Sequence, residues 1–460
     1  MVTIINPLLI GKVAKHYLSD INRFETKGFE YINKYRNKLF LRLIKYAFTV
    51  PMYKNKYSEA GISIDDIKNL SDIEKLPIIT REDFINNFPS KVIPSNILKK
   101  SVLMNTSGST RNPLFYYTDQ FTLMKTLIVY VRELREFGFQ WNHSKLTIIA
   151  NFYSGTGPTS YFDSGAIPTL KPLISLDNIQ LINADDDLKK MIKSIDNFKP
   201  EFLTGFPGPL RHMALLKKQG FGKNVNPKYI FSSGGIIDKY DKLEIEEVFG
   251  VKVYDLYGST EAGPISFECK KGNFHINSDY VHLETVDKKG NKIKKGKPGI
   301  LALTRLYGKG TPIIRYTGME DFVTLKEGFC KCQIPTELIG RVHGRIKESV
   351  VLPNKKVIFA HSLKMVPGKV MYDLKTNIIY KIQVVQEKLD KIEVLVIINK
   401  KRKDSVSIKN FLDELKNSYE KLFENKIDVN VKDVNKLKSE EGNSESKPGV
   451  LSKIDVYTYI

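Results

Sequence analysis

The amino-acid sequence contains no apolar run approaching eighteen residues, which leaves no candidate for a helix that crosses a membrane. Its opening stretch, MVTIINPLLIGKVAKHYLSD, brings in basic and acidic groups too early for the apolar centre of a secretory leader, so the cytoplasm is the expected compartment. Cysteine is scarce. Three thiols in 460 residues cannot build a disulfide framework, and Cys330 and Cys332 stand one residue apart, a spacing that suits metal ligation better than bridging. Helix-turn-helix, RNP and zinc-finger signatures are also missing, as is any internal repeat. The formal net charge of +21 therefore reads as a solvated, lysine-rich surface rather than a nucleic-acid footprint, because its one tight cluster is Lys400, Lys401, Arg402 and Lys403.

What is present is an ordinary globular composition, 42% hydrophobic and 27% charged, enough for two or three domains in a chain of this length. From Lys12 to Phe48 apolar residues recur at intervals of three and four (Ile21, Phe24, Phe29, Ile32, then Leu39, Leu41, Leu43, Ile44), which predicts amphipathic helices. Thr80, followed by Arg81, Glu82 and Asp83, reads as a helix cap with an acidic first turn. Between about 100 and 340, short β-branched runs (Lys145 to Ala150, Tyr229 to Phe231, Val251 to Leu256, Gly299 to Thr304) alternate with helical stretches (Asp185 to Phe198, Tyr240 to Phe249). Beyond Gly344 the pattern becomes strands at Ile378 to Gln386 and Lys391 to Ile398 around a helix from Ser407 to Asn425. The expected architecture is α/β: a large N-terminal domain over 1–343, with sheets flanked by helices and a helical leading segment over 1–100, and a small α+β domain over 344–460. The polar stretch Lys436 to Lys447 is expected to be a mobile loop.

Four constellations carry chemistry. Thr106, Ser107, Gly108, Ser109 and Thr110, followed by Arg111, Asn112 and Pro113, form a hydroxyl-rich turn between Val102 to Met104 and the strand-like Phe115, Tyr116 and Tyr117. Its N–H and O–H donors can cradle phosphate oxygens, although a purely structural turn has the same composition. Tyr257, Gly258, Ser259, Thr260 and Glu261 follow a strand. A carboxylate beside hydroxyls can hold Mg²⁺ against phosphate, and a helix-capping glutamate fits the same octapeptide, Tyr254 to Glu261. The run Thr311 to Asp321 ends in an acid where a strand meets a turn, a place suited to ribose hydroxyls. Gly340 to Lys347 sets Arg341 and Arg345 at the domain junction, where they can reach an anion or bind nothing.

In this order the four motifs resemble the adenylate-forming superfamily of acyl-CoA synthetases, and most of all its branch of phenylacetate-CoA ligases, deazaflavin-coenzyme adenylylating synthetases and capsule-biosynthesis homologues. The segments AFTVPMYKNKYSEAGI and SDIEKLPIITREDF are similar to that branch too, so the resemblance covers almost the whole chain. It implies ATP and a carboxylic acid bound between a large domain and a small rotating one, with an acyl-AMP passed to a thiol, coenzyme A or a carrier pantetheine. Aromatic acids are the family default. By the same resemblance Thr106 to Thr110 embrace the β- and γ-phosphates, Ser233, Gly234 and Gly235 with Tyr257 flank the adenine, and Glu261 holds Mg²⁺. Asp321 and Arg345 bind the ribose, and Lys347 occupies the hinge. The acid lies near Asn151 to Gly155 and Gly205 to Pro209, and a homodimer is compatible with the branch. Cys269, His275, Cys330 and Cys332 form a Cys₃His set suited to structural Zn²⁺, as in parts of the branch. Reduced buried thiols and a surface histidine are the alternative.

Two positions depart from the family. Arg111 and Asn112 stand where the phosphate loop carries glycine and then lysine or glutamate, and Val450 stands where the C-terminal lysine that polarises the acyl carboxylate is expected, leaving Lys447 and Lys453 as substitutes. These departures keep two alternatives open: an adenylyltransferase to a hydroxyl acceptor, separated from a ligase by coenzyme A dependence, and a diverged non-catalytic protein of polysaccharide or specialised metabolism.

Overall fold

The computed structural model describes residues 7–106, 113–152, 176–399, 404–439 and 449–460. The N-terminal helices α1 (Pro7–Asp20), α2 (Arg23–Thr26) and α3 (Phe29–Ala47) divide the expected helical stretch, with Gly28 as the extended residue that starts α3. Ile32, Arg36, Phe40, Leu43, Ile44 and Ala47 fall on one side of α3 and are buried, as the three-and-four spacing requires. After α4 (Pro51–Glu59), helix α5 (Arg81–Asn87) begins with a reciprocal cap. The Thr80 side chain accepts from the Asp83 N–H, while the Asp83 carboxylate accepts from the Thr80 N–H at 2.7 Å. α6 (Ser95–Leu98) leads into the antiparallel hairpin β1 (Val102–Asn105) and β2 (Phe115–Thr118), and α7 (Gln120–Arg135) follows.

β3 (Leu146–Ala150), β4 (Ile179–Asn183), β5 (Phe202–Gly205), β6 (Tyr229–Ser233) and β7 (Val253–Ser259) then pair in parallel. β8 (Gly263–Glu268), β9 (Phe274–Ile276), β10 (Val281–Val286), β11 (Pro298–Arg305), β12 (Asp321–Lys326) and β13 (Leu338–Arg345) extend the same sheet with antiparallel pairs. Among the described residues the order is β10-β11-β12-β13-β9-β8-β7-β6-β5-β3-β4. The parallel half is covered on both sides, and strand alternation sorts its residues. Leu203, Ile230 and Val253 pack against helices Leu188–Phe198, Pro207–Lys218 and Lys239–Phe249, whereas their neighbours Phe202, Phe231 and Tyr254 face α7 and the N-terminal helices. Burial of a phenylalanine such as Phe231 stabilises the fold by roughly 2–3 kcal/mol, so this aromatic layer fixes the sheet on α7.

Buried charge joins the same layers. Arg132 of α7 donates to both oxygens of Asp279, at 2.8 and 2.9 Å, and Arg23 bridges Asp279 and Asp20, all four side chains being nearly inaccessible to solvent. The neighbouring Glu133 accepts from Asn277 Nδ2 at 2.7 Å.

After Gly344 the chain builds the short pair β14 (Val350–Val351) and β15 (Val357–Ile358), helix Ala360–Asp373, and a second sheet from β16 (Ile379–Lys388), β17 (Lys391–Ile398), β18 (Asp428–Asp433) and β19 (Val450–Ser452). Phe411, Leu415 and Tyr419, four residues apart on helix Ile408–Leu422, close a core with Val384, Val394, Val396 and Val450. A further cluster seats Ile346, Val351 and Val456 on Val286, Ile300 and Phe322 of the large sheet.

Candidate active site

The motif residues converge where β6 and β7 end. Ser233 closes β6 opposite Leu256, so the turn Ser233, Gly234, Gly235 lies beside Tyr257. Gly234 has φ +72, and a Cβ there would stand 2.3 Å from the Phe206 ring, so this turn admits only glycine. The Tyr257 hydroxyl donates to Asp321 Oδ2 at 2.5 Å. Asp321 opens β12 and faces Arg345, the last residue of β13, across the ladder. Burial, then the Asp321 charge, hold the Tyr257 hydroxyl well above its ordinary pKa. Burial likewise pushes the Asp321 carboxyl up, against the pull of the Tyr257 hydrogen bond and the Arg345 charge. The result is a compact polar group at the end of the sheet, desolvated on the protein side.

Glu261 sits in the tight reversal between β7 and β8. Gly258 is pressed against that reversal, since a Cβ on it would stand 2.8 Å from the Gly263 carbonyl oxygen, and the Ser259 Oγ accepts from the Ala262 N–H at 3.2 Å. Glu261 is 6% exposed, and among the described residues no lysine or arginine forms an ion pair with its carboxylate. A buried carboxylate without a protein cation fits a divalent ion.

The turn is tied to the hydroxyl-rich hairpin. Tyr116 of β2 donates to the Thr260 carbonyl, and the Tyr117 N–H donates to Thr311 Oγ1 at 3.0 Å. Thr106 closes the neck of the loop: its N–H donates to the Leu114 carbonyl at 3.0 Å, and its Oγ1 accepts from the Leu114 N–H at 2.9 Å. Ser107, Gly108, Ser109 and Thr110, with Arg111 and Asn112, lie outside the described residues. So do 153–155 of the expected acid-binding stretch, the basic cluster 400–403, and Lys447 with most of its loop. Tyr116 and Arg305, which donates to the Glu261 carbonyl at 2.9 Å, are contacts that sequence reasoning missed. A tyrosine in a strand and an arginine at a strand end carry no local signal of a partner that far along the chain.

At the junction Gly344 takes φ +100, and a Cβ on it would meet the Ala360 Cβ at 2.7 Å and Ile236 at 3.0 Å. Lys347 is exposed, 3.9 Å from Glu320. Val450 is 3% exposed in the core of the C-terminal sheet, in register with Val384. Lys453 lies just past β19, its N–H donating to the Gln386 carbonyl at 2.9 Å and its charge near Glu387.

The three cysteines and His275 come together at the edge of β8 and β9. Cys269 follows β8, His275 lies in β9, and Cys330 and Cys332 lie between β12 and β13; their four ligand atoms are all within 4.8 Å of one another. Cys269 Sγ and Cys330 Sγ are 3.8 Å apart, which matches the edge of about 3.8 Å that tetrahedral Zn–S bonds produce. Cys332 Sγ is 3.1 Å from His275 Nε2, and His275 Nδ1 is 3.0 Å from Thr336 Oγ1, the kind of outer partner that orients a ligating imidazole.

Protein CapK of Staphylococcus aureus is 25% identical over 431 residues, spanning 88% of this chain and 86% of that one. Phenylacetate-coenzyme A ligase of Pseudomonas putida is 23% identical over 343 residues, 72% and 74% of the two chains. In sequence the chain is thus similar to the phenylacetate-CoA ligase and CapK branch of the adenylate-forming superfamily. No family model matches it. The solved structure of a 2-hydroxyisobutyryl-CoA ligase in a postadenylation state, bound to an acyl-AMP, superposes with a TM-score of 0.74 at 17% identity, covering 95% of this chain and 92% of that one, and shows that the adenylate-forming fold runs through both sheets. No helix among the described residues is long and apolar enough to cross a membrane.

Proposed function

We propose that the protein is an ATP-dependent, AMP-forming ligase that activates a carboxylic acid, aromatic by preference, and transfers the acyl group to the thiol of coenzyme A in the cytoplasm. The observation that carries this reading is the convergence of Tyr257, Asp321 and Arg345 beside the Glu261 turn, itself fastened to the Thr106 hairpin. In the proposed arrangement the adenine lies along Ser233, Gly234 and Gly235 against Tyr257. The ribose hydroxyls donate to Asp321, which Tyr257 and Arg345 hold in place, and the triphosphate runs to the loop after Thr106. Glu261 fits magnesium, which when bound neutralises the phosphate oxygens.

The acid oxygen attacks the α-phosphorus, pyrophosphate leaves, and in the second step the thiol attacks the acyl carbon and AMP leaves. Protein catalysis here is positioning and charge stabilisation. Residues 344–460 turn as a unit about Gly344 to Lys347, bringing Lys447 or Lys453 in place of the lysine that Val450 lacks. Cys269, His275, Cys330 and Cys332 hold a structural zinc, with no position open to substrate. The relatives' names support the thioester-forming reading and the aromatic preference.

A second reading is favoured by Val450. Its side chain is in the core and cannot contact a substrate, which suits a nucleotide-binding accessory protein that does not adenylate. ATP-pyrophosphate exchange against aryl, arylacetic, amino and fatty acids separates the two readings. Exchange with one acid class supports the ligase, and silence with folded protein that still binds MgATP supports the accessory role.

A further inference from the structure

Arg305 ends β11 and is 4% exposed, yet among the described residues it pairs with no carboxylate. Nη1 donates to the Glu261 carbonyl at 2.9 Å and Nη2 to the Thr311 carbonyl at 3.1 Å, while Nε is buried without a partner. A desolvated guanidinium whose partners are two carbonyls and the Tyr307 ring, 5.9 Å away, with a donor to spare, costs several kcal/mol unless an anion offsets it. Methionine, an apolar side chain of similar length, would fill such a site more cheaply, so the charge calls for an explanation outside packing.

The two carbonyls show where that anion belongs. Glu261 lies in the reversal whose preceding carbonyl, Thr260, accepts from Tyr116. Thr311 gives its Oγ1 to the Tyr117 N–H. Arg305 thus sits beneath the crossing of three segments: the hairpin that carries the hydroxyl-rich loop, the turn that carries the buried Glu261 carboxylate, and the strand connection that leads to Asp321. Each of these contributes to the proposed nucleotide site, and the guanidinium fastens the last two by their backbones.

We infer that Arg305 is a positioning residue for the phosphate end of MgATP, fixing the Glu261 backbone so that its carboxylate faces the metal and adding a buried positive charge beneath the triphosphate. The inference rests on the ligase reading for the location of the nucleotide, but it concerns binding and is tested by binding. Isothermal titration of the full chain with MgATP and with adenosine, for wild type, Arg305→Lys, Arg305→Gln and Arg305→Met, separates the possibilities.

The expected result is a Kd for MgATP weakened about ten-fold or more in Arg305→Gln and Arg305→Met, partly restored in Arg305→Lys, with adenosine binding unchanged. Arg305→Gln retains an amide donor without the charge, so a loss there isolates the electrostatic part. Equal MgATP affinity in wild type and Arg305→Met, or parallel loss of MgATP and adenosine, overturns the inference and leaves the nucleotide site standing. Wild-type protein that binds neither ligand overturns both. Failure of all three variants to fold makes Arg305 a structural residue and also overturns the inference.

Discussion

Replacing Glu133 with glutamine is expected to stabilise the protein, and to do so more as the pH rises. Glu133 is 1% exposed on α7, accepts from Asn277 Nδ2 at 2.7 Å, and lies near the Arg132 charge. Burial outweighs both favourable contacts and pushes its carboxyl from 4.5 to about 8. An acid whose folded value is raised carries no penalty below its unfolded value. Above it the unfolded chain ionises while the folded one holds its proton, so stability falls with pH until the folded group ionises as well. The affected window is pH 4.5 to about 8. Each pH unit within it removes about 1.4 kcal/mol, or about 2 kcal/mol between pH 6 and 8 allowing for partial ionisation at the upper end. Glutamine keeps an oxygen for Asn277 and does not titrate. Thermal unfolding of both proteins at pH 6, 7 and 8 should show the Glu133→Gln advantage growing by about 2 °C across that range, for a chain this long. An advantage that stays constant with pH would mean that burial does not raise the Glu133 carboxyl.

Glu337 should behave in the opposite sense. Arg36 at 2.7 Å and Lys295 at 2.8 Å overcome its burial and hold its carboxyl down at about 2, so Glu337→Gln should cost about 2–3 kcal/mol at pH 7 and progressively less as the pH falls below 4.5, read by urea unfolding. Cys330→Ser should remove about one zinc per chain by elemental analysis and lower the unfolding temperature, as expected for a closed four-ligand site. Retention of full zinc would place the metal elsewhere. Gly344→Ala should destabilise by about 1–3 kcal/mol, since both its φ of +100 and the 2.7 Å approach to Ala360 resist a side chain. Unchanged thermal unfolding would show that the junction adopts another conformation in solution.

Much of the fold was legible because its elements are strongly patterned. The strand expected at Lys391 to Ile398 appears with those bounds, and Thr80 caps α5 through the Asp83 partner three residues on. The expected stretch Val251 to Leu256 begins instead at Val253 and continues to Ser259, because Tyr257 to Ser259 pair with β8 across a bulge, a partnership that local periodicity does not show. The motif residues were visible as types and spacings, whereas the meeting of Tyr257, inside β7, with Asp321, the first residue of β12, comes from the sheet that both strands share. Arg305, Tyr116 and the Arg132–Asp279 pair could not be anticipated, since their partners lie 44, 144 and 147 residues away in sequence. The buried side of Val450 is a matter of register: one step along β19 decides which residue enters the core.

The decisive measurement is ATP-pyrophosphate exchange with a panel of aryl, arylacetic, amino and fatty acids, run with wild type and Glu261→Ala side by side. An adenylating enzyme will show exchange with one acid class, reduced about a hundred-fold or more by the substitution. Exchange that persists undiminished in Glu261→Ala, or its absence with every acid in folded wild-type protein, would contradict the ligase reading.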